Sequence, residues 1–182
     1  MMKAVVGFIG GMIVFGIVAW NMAGDMMLRE VPSPYSVEET AARIQRNIQS
    51  LSGNGWSLSG LRNPAAAVAA DGSNVPPVLL IEACSTKYSG PILKEDDSRI
   101  LSILMPCTIT VYKKDDGKTY IGLMNSGLMG RMFGPLVGEI MGEVAKDQAM
   151  FVKFDDSKPA PPLIKTRPGG GGGAGGKAAE GC

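Results

Sequence analysis

Histidine is missing altogether from this 182-residue sequence. Its absence removes Ser-His-Asp and Cys-His nucleophile activation, zinc centres built on imidazole, and histidine-ligated haem. Charge is scarce too. Charged residues form 19% of the chain, against roughly 25% in ordinary soluble domains. Lys+Arg 18 against Asp+Glu 17 gives a net charge of +1, so no electrostatic footprint for nucleic acid is expected. Aromatic residues are only 6%, and Trp56 is the one tryptophan beyond the N-terminal apolar run, which argues against a base-stacking surface. Neither a P-loop nor a GxGxxG motif occurs. The acidic doublets Glu38-Glu39, Asp96-Asp97, Asp115-Asp116 and Asp155-Asp156 read as caps, turns or solvated loops, and nothing spaces two carboxylates for acid/base work. No catalytic residue and no cofactor is expected.

What is present begins with an apolar run. Residues 4–24 carry no charge and are filled by Val5, Val6, Phe8, Ile9, Ile13, Val14, Phe15, Ile17 and Val18. At about 1.5 Å per residue in a helix, such a run spans roughly the 30 Å hydrocarbon core of a bilayer. It exceeds the usual core of a signal peptide, has only Lys3 before it, and is followed by no good small-x-small cleavage site. Residues 1–25 are therefore expected to be an uncleaved single-pass anchor. Lys3 precedes it while Asp25, Arg29 and Glu30 follow. That asymmetry favours a cytoplasmic N-terminus in the inner (cytoplasmic) membrane and a periplasmic or extracellular body. Gly7 with Gly11, and Ala19 with Ala23, are small residues at helical spacing and suit close approach of another membrane helix.

Residues 26–155 read as an α+β domain. Ser36-Val-Glu-Glu39 is a capping-box pattern, and Val37, Ala41, Ile44, Ile48 and Leu51 follow with helical spacing until Gly53-Asn-Gly55 ends the helix. Val31-Pro-Ser-Pro34 reads as a stiff connector. Strands are expected at Trp56–Ser59, Val78–Cys84, Cys107–Tyr112 and Thr119–Met124, the last two joined by the Asp115-Asp-Gly117 turn. Pro135 opens a second helix with Val137, Ile140, Met141 and Val144 as its apolar stripe and Glu139, Glu143, Lys146 and Asp147 as its polar side. Two helices on an antiparallel sheet result. Residues 156–182, rich in proline and then glycine, read as a disordered tail that ends at Cys182.

The domain resembles the domain-of-unknown-function 302 family. The likeness rests on Pro34-Tyr-Ser-Val-Glu-Glu-Thr40, Leu80-Ile-Glu-Ala-Cys84, Met105-Pro-Cys107, Ile109-Thr-Val-Tyr112, Asp116-Gly-Lys118 and Met124-Asn125. The resemblance implies a β-α-β4-α order similar to the TATA-binding-protein-like fold, and a possible homodimer. It supplies no reaction and no catalytic residue.

Three cysteines remain: Cys84, Cys107 and Cys182. In an exported chain, Cys84 and Cys107 are expected to bridge two strand ends. The alternatives are two buried free thiols or a redox or soft-metal pair. Met105, two residues before Cys107, gives copper a weak case, since soft sulfur ligands select Cu(I). Two functions from different classes follow. One is a membrane-anchored accessory subunit that packs on other membrane-protein subunits. The other is a thiol carrier or redox module using Cys84, Cys107 and the glycine-armed Cys182.

Overall fold

In a computed structural model the described residues are 2–165, and within the first helix the side chains of residues 10–12, 14–19 and 24–27. That helix, α1 (Met2–Met27), passes directly into strand β1 (Leu28–Ser33). Among the described residues no helix is long and apolar enough to cross a membrane. The expected span over residues 4–24 lies in part outside those described, as do the side chains of Gly7 and Ala23.

Ser36 has an extended backbone, and its hydroxyl accepts the Glu39 N–H at 3.1 Å to open α2 (Val37–Ser50). This is half of the expected capping box. The Glu39 carboxylate turns forward instead, 2.9 Å from the Arg43 guanidinium one turn on. The apolar stripe of α2 is buried as its spacing requires, with Ile44 and Ile48 fully enclosed. Then follow β2 (Trp56–Arg62), the short α3 (Pro64–Ala70), β3 (Val78–Ser85), α4 (Thr86–Lys94), β4 (Cys107–Lys113), β5 (Thr119–Met124), the short α5 (Ser126–Gly130) and α6 (Pro135–Phe151). The β-α-β4-α order implied by the resemblance is kept, with α3, α4 and α5 inserted between its members.

The five strands form one antiparallel sheet in the order β1-β5-β4-β3-β2. Register aligns the inward side chains in rows. Val31 stands opposite Ile121, Ile121 opposite Val111, and Val111 opposite Leu79, while Ile109 stands opposite Ile81. Helices α2 and α6 cover that face, and Phe151 closes the core between them. On the other face, which neither α2 nor α6 covers, Thr108, Thr110 and Tyr112 alternate with the buried residues.

Two sequence expectations need correction. Leu28–Ser33 is a strand, so the stretch read as a connector from Val31 is paired with β5. Pro32 is tolerated because β1 is an edge strand, where a missing ladder donor leaves no partner unpaired. The expected disordered tail also begins too early. Residues 156–165 lie along α2: Gln45 donates to the Ile164 carbonyl and accepts its N–H, both at 2.9 Å. Arg46 donates to the Pro159 carbonyl, and Leu163 packs on the core. A buried glutamine amide satisfied in this way anchors an otherwise irregular segment. The rest of the tail, from residue 166 and including Cys182, lies outside the described residues.

Ile81 is fully buried on β3, between β4 and β2. Ile81→Ala should therefore destabilise the domain by about 3 kcal/mol through lost transfer energy and the residual cavity. Urea unfolding should show a lower midpoint with an unchanged slope.

Candidate functional site

The most chemically dense region of the domain is the end of the sheet where β2 begins, β3 ends and β4 begins. Asp147, on α6, is 6% exposed there. Its carboxylate accepts the Trp56 indole N–H at 2.7 Å and the Tyr88 hydroxyl at 2.9 Å. It also accepts the Asn54 amide at 3.1 and 3.2 Å. These three donors come from the β2 start, from α4, and from the turn between α2 and β2. A buried carboxylate is stable only when its lone pairs are satisfied, and here neutral donors do that. The Lys87 ammonium donates to the Asn54 side-chain oxygen at 3.4 Å. Burial first, and then the bond to Asp147, pushes the Tyr88 phenol up to about 12. Tyr88 therefore stays a donor throughout the neutral range.

Local sequence explains how these groups meet. Gly55 is left-handed (φ 73°), and a Cβ there would come within 3.0 Å of the Lys87 backbone nitrogen. Glycine therefore lets the turn after α2 close on the start of α4. Ser85 Oγ then donates to the Asn54 carbonyl at 2.6 Å. The Trp56 ring stands edge-on to Phe151 (4.9 Å) and tilted to Tyr88 (5.9 Å).

Beside this cluster is an apolar cavity of about 50 Å³. Trp56 and Tyr88 form one wall, the helix α6 another, and the 3₁₀ turn Arg99–Leu104 a third. Cys107 and Met105 both line it, together with Met129 and Met141. The structure thus brings Met105 and Cys107 to one cavity. Cys107 is a free thiol, and burial pushes its pKa up to about 11. Thiolate is the nucleophilic and redox-active form, so this environment suits a small apolar side chain better than an attacking group. Among the described residues, no three His, Cys, Asp or Glu side chains are grouped to hold a metal ion.

The expected Cys84–Cys107 bridge is not formed. Ala83, one residue before Cys84, stands opposite Cys107, and Cys84 stands opposite Ser57 on β2. Strand side chains alternate between faces, so that one-residue offset directs the two cysteines to opposite sides of the sheet. Cys107 joins Ile109 and Val111 on the core side, as expected, but its partners there are Leu79, Ile81 and Ala83 instead of Leu80 and Cys84.

A second feature lies on the uncovered face. The root of α1 at Gly24 and Asp25 forms a groove with Leu80 of β3, Thr108, Thr110 and Tyr112 of β4, and Gly122 and Met124 of β5. Near its far end Tyr112 donates to the Glu30 carboxylate, and Lys114 donates to the same group at 2.7 Å. These bonds, that to Lys114 foremost, hold the Glu30 pKa below its usual value. The Tyr112 and Tyr120 rings stack at 6.2 Å. Of the small residues marked for helix packing, Gly11 and Ala19 are exposed on α1, and a Cβ added at Gly11 would meet nothing within 4 Å.

This arrangement of sheet and helices has relatives. A family model described as "Domain of unknown function DUF302" matches residues 29–152. The chain belongs to the DUF302 family. A crystal structure titled "uncharacterized conserved protein DUF302 from Bacillus stearothermophilus" is similar at a TM-score of 0.61 and 21% identity. The match covers 70% of this chain and 96% of that one, and at such identity it shows the shared fold. No curated protein matches. The DUF302 match begins at β1, which the sequence reading did not place, and ends where α6 ends.

The Asp147 cluster was missed by sequence reading, which put Asp147 on the polar side of its helix. One signal was available. Val137, Val144 and Phe151 recur every seven residues, and Asp147 falls on that stripe, three positions after Val144. An acid on an apolar stripe, in a chain with a core tryptophan and tyrosine, already asks for buried donors.

Two outcomes test this region. Asp147→Ala should cost about 3 kcal/mol, because the buried Trp56 and Tyr88 donors and the half-buried Asn54 amide lose their acceptor, whereas Tyr88→Phe should cost about 1 kcal/mol. Denaturant unfolding of both variants checks the ranking. With its pKa near 11, Cys107 should also be almost inert to iodoacetamide at pH 7, where about one thiol in ten thousand is ionised. Peptide mapping should show its alkylation rising about tenfold per pH unit toward pH 10, and rapid labelling at pH 7 would contradict the buried-thiol assignment.

Proposed function

We propose that this chain is a membrane-anchored accessory subunit whose DUF302 domain docks on a larger membrane-protein assembly by protein–protein contacts. The observation that carries this reading is the groove between the root of α1 and the uncovered sheet face. A partner helix packed along α1 would be led directly into that groove. Its lining mixes tyrosine, threonine and aliphatic side chains with two carboxylates, Asp25 and Glu30, and the Arg29 guanidinium, a composition suited to a protein partner. The uncharged run at residues 4–24 supplies the anchor. Charge asymmetry across that run favours a cytoplasmic N-terminus and a domain on the exported side of the inner membrane. Gly7, Gly11, Ala19 and Ala23 are the positions offered to neighbouring helices.

The test is the state of the full chain after mild detergent extraction from its own membranes. It should migrate on native gels as part of a larger complex. Thr108 is exposed in the groove, and Thr108→Arg should lower recovery of the partners at least tenfold while leaving the melting temperature of the domain unchanged. Migration of the wild-type chain alone, at monomer or dimer size, would refute the accessory reading.

A further inference from the structure

Large apolar side chains are exposed at one end of the domain. In the turn Arg99–Leu104, Ile100 is 76% and Ile103 83% exposed. Across the apolar cavity, Met132 is 62% exposed, and Phe133 and Leu136 are also uncovered. The two groups are neighbours, because Leu101 and Leu104 line the same cavity as Phe133 and Val137. The inward-facing neighbours in each segment close the cavity together with Phe133, whereas Ile100, Ile103, Met132 and Leu136 do not line it. Nothing in the fold of the domain requires them to be apolar.

Their position relative to α1 gives them a role. Helix α1 enters β1 at Leu28, opposite Met124 at the end of β5. Asn125 fixes that junction: its backbone N–H donates to the Met27 carbonyl at 2.7 Å and its side-chain amide to the Met26 carbonyl at 2.9 Å. Asn125 also caps α5, which packs on both α1 and α6 and runs straight into Met132 and Phe133. Strand β4 begins at this same end, immediately after the Ile100–Ile103 turn. Three strand spacings separate β1 from β3, about 14 Å. All five exposed residues therefore gather at the end of the sheet from which α1 departs. The opposite end carries the Lys113–Lys118 turn, with Lys113, Lys114, Asp115, Asp116 and Lys118.

We infer that this apolar end rests on the bilayer that holds α1, with Ile100, Ile103, Met132 and Phe133 inserted at the lipid interface. The inference rests on the anchor reading above and adds an orientation to it. One apolar medium then covers both the described outer side chains of α1 (Phe15 is 75% and Val14 61% exposed) and the end of the domain beside its root. Exposed apolar groups of this kind mark contacts with lipid or protein, and their adjacency to the root of an apolar helix selects lipid. The polar hairpin turn would face away from the membrane.

The full chain reconstituted in phosphatidylcholine nanodiscs tests this through tryptophan quenching by lipids brominated near the headgroup. Trp20→Phe is the common background, and the buried Trp56 supplies a constant signal. Tryptophan is then placed singly as Phe15→Trp, Ile103→Trp, Met132→Trp and Asp115→Trp. Quenching of Phe15→Trp, Ile103→Trp and Met132→Trp at least twofold beyond that of Asp115→Trp supports the inference. Quenching of Phe15→Trp alone, with Ile103→Trp and Met132→Trp no different from Asp115→Trp, overturns it and leaves the anchor standing. An unquenched Phe15→Trp overturns the anchor reading and the orientation together.

Discussion

One buried carboxylate organises the end of the sheet where the chemistry of this domain is concentrated. Asp147 holds α6 against β2 and α4 through the Trp56 indole, the Tyr88 hydroxyl and the Asn54 amide. Hydrophobic burial alone would let α6 slide along its axis, because neighbouring apolar residues are nearly interchangeable in a packed layer. A charge that must keep three donors permits far less movement. The positions of Trp56 and Tyr88, and hence one wall of the apolar cavity, follow from that constraint.

With α6 fixed, the sheet is left with one covered and one uncovered face. Antiparallel sheets tolerate this because alternation separates core side chains from solvent side chains along every strand. On the covered face the rows through Ile121, Val111 and Ile81 meet α2 and α6. On the uncovered face Thr108, Thr110, Tyr112 and Gly122 remain available, and the root of α1 turns them into a groove. The buried side thus confers stability while the open side carries the groove. The DUF302 match, which runs from β1 through α6, covers both faces of this sheet.

The thiol chemistry depends on the same arrangement. Cys107 lies on the covered face, in an apolar cavity, with its pKa pushed to about 11. A cysteine in such a place contributes packing and polarizability, and its sulfur is seldom ionised at neutral pH. Had the register of β3 and β4 differed by one residue, Cys84 would have stood opposite Cys107.

The sequence by itself determined the elements with strong local signals. The Ser36 cap and the stripe Val37, Ala41, Ile44 and Ile48 specify α2, because capping and helical periodicity are local properties. Alternation from Cys107 to Tyr112 and the Asp115-Asp-Gly117 turn specify the β4–β5 hairpin, and Pro135 marks the start of α6. The tertiary structure alone decided the rest. Pairing with β5 makes a strand of Leu28–Ser33, where Pro32, with Pro34 just beyond, suggests a connector when read in isolation. The two Gln45 bonds to Ile164 hold a proline-rich segment that has no local structure of its own. The register of β3 on β4 separates the cysteines, since it is set by the joint burial of Leu79, Ile81 and Ala83 with Cys107, Ile109 and Val111. Asp147 became buried because its acceptors and their donors, more than 50 residues apart in sequence, could satisfy one another only once the helices lay on the sheet.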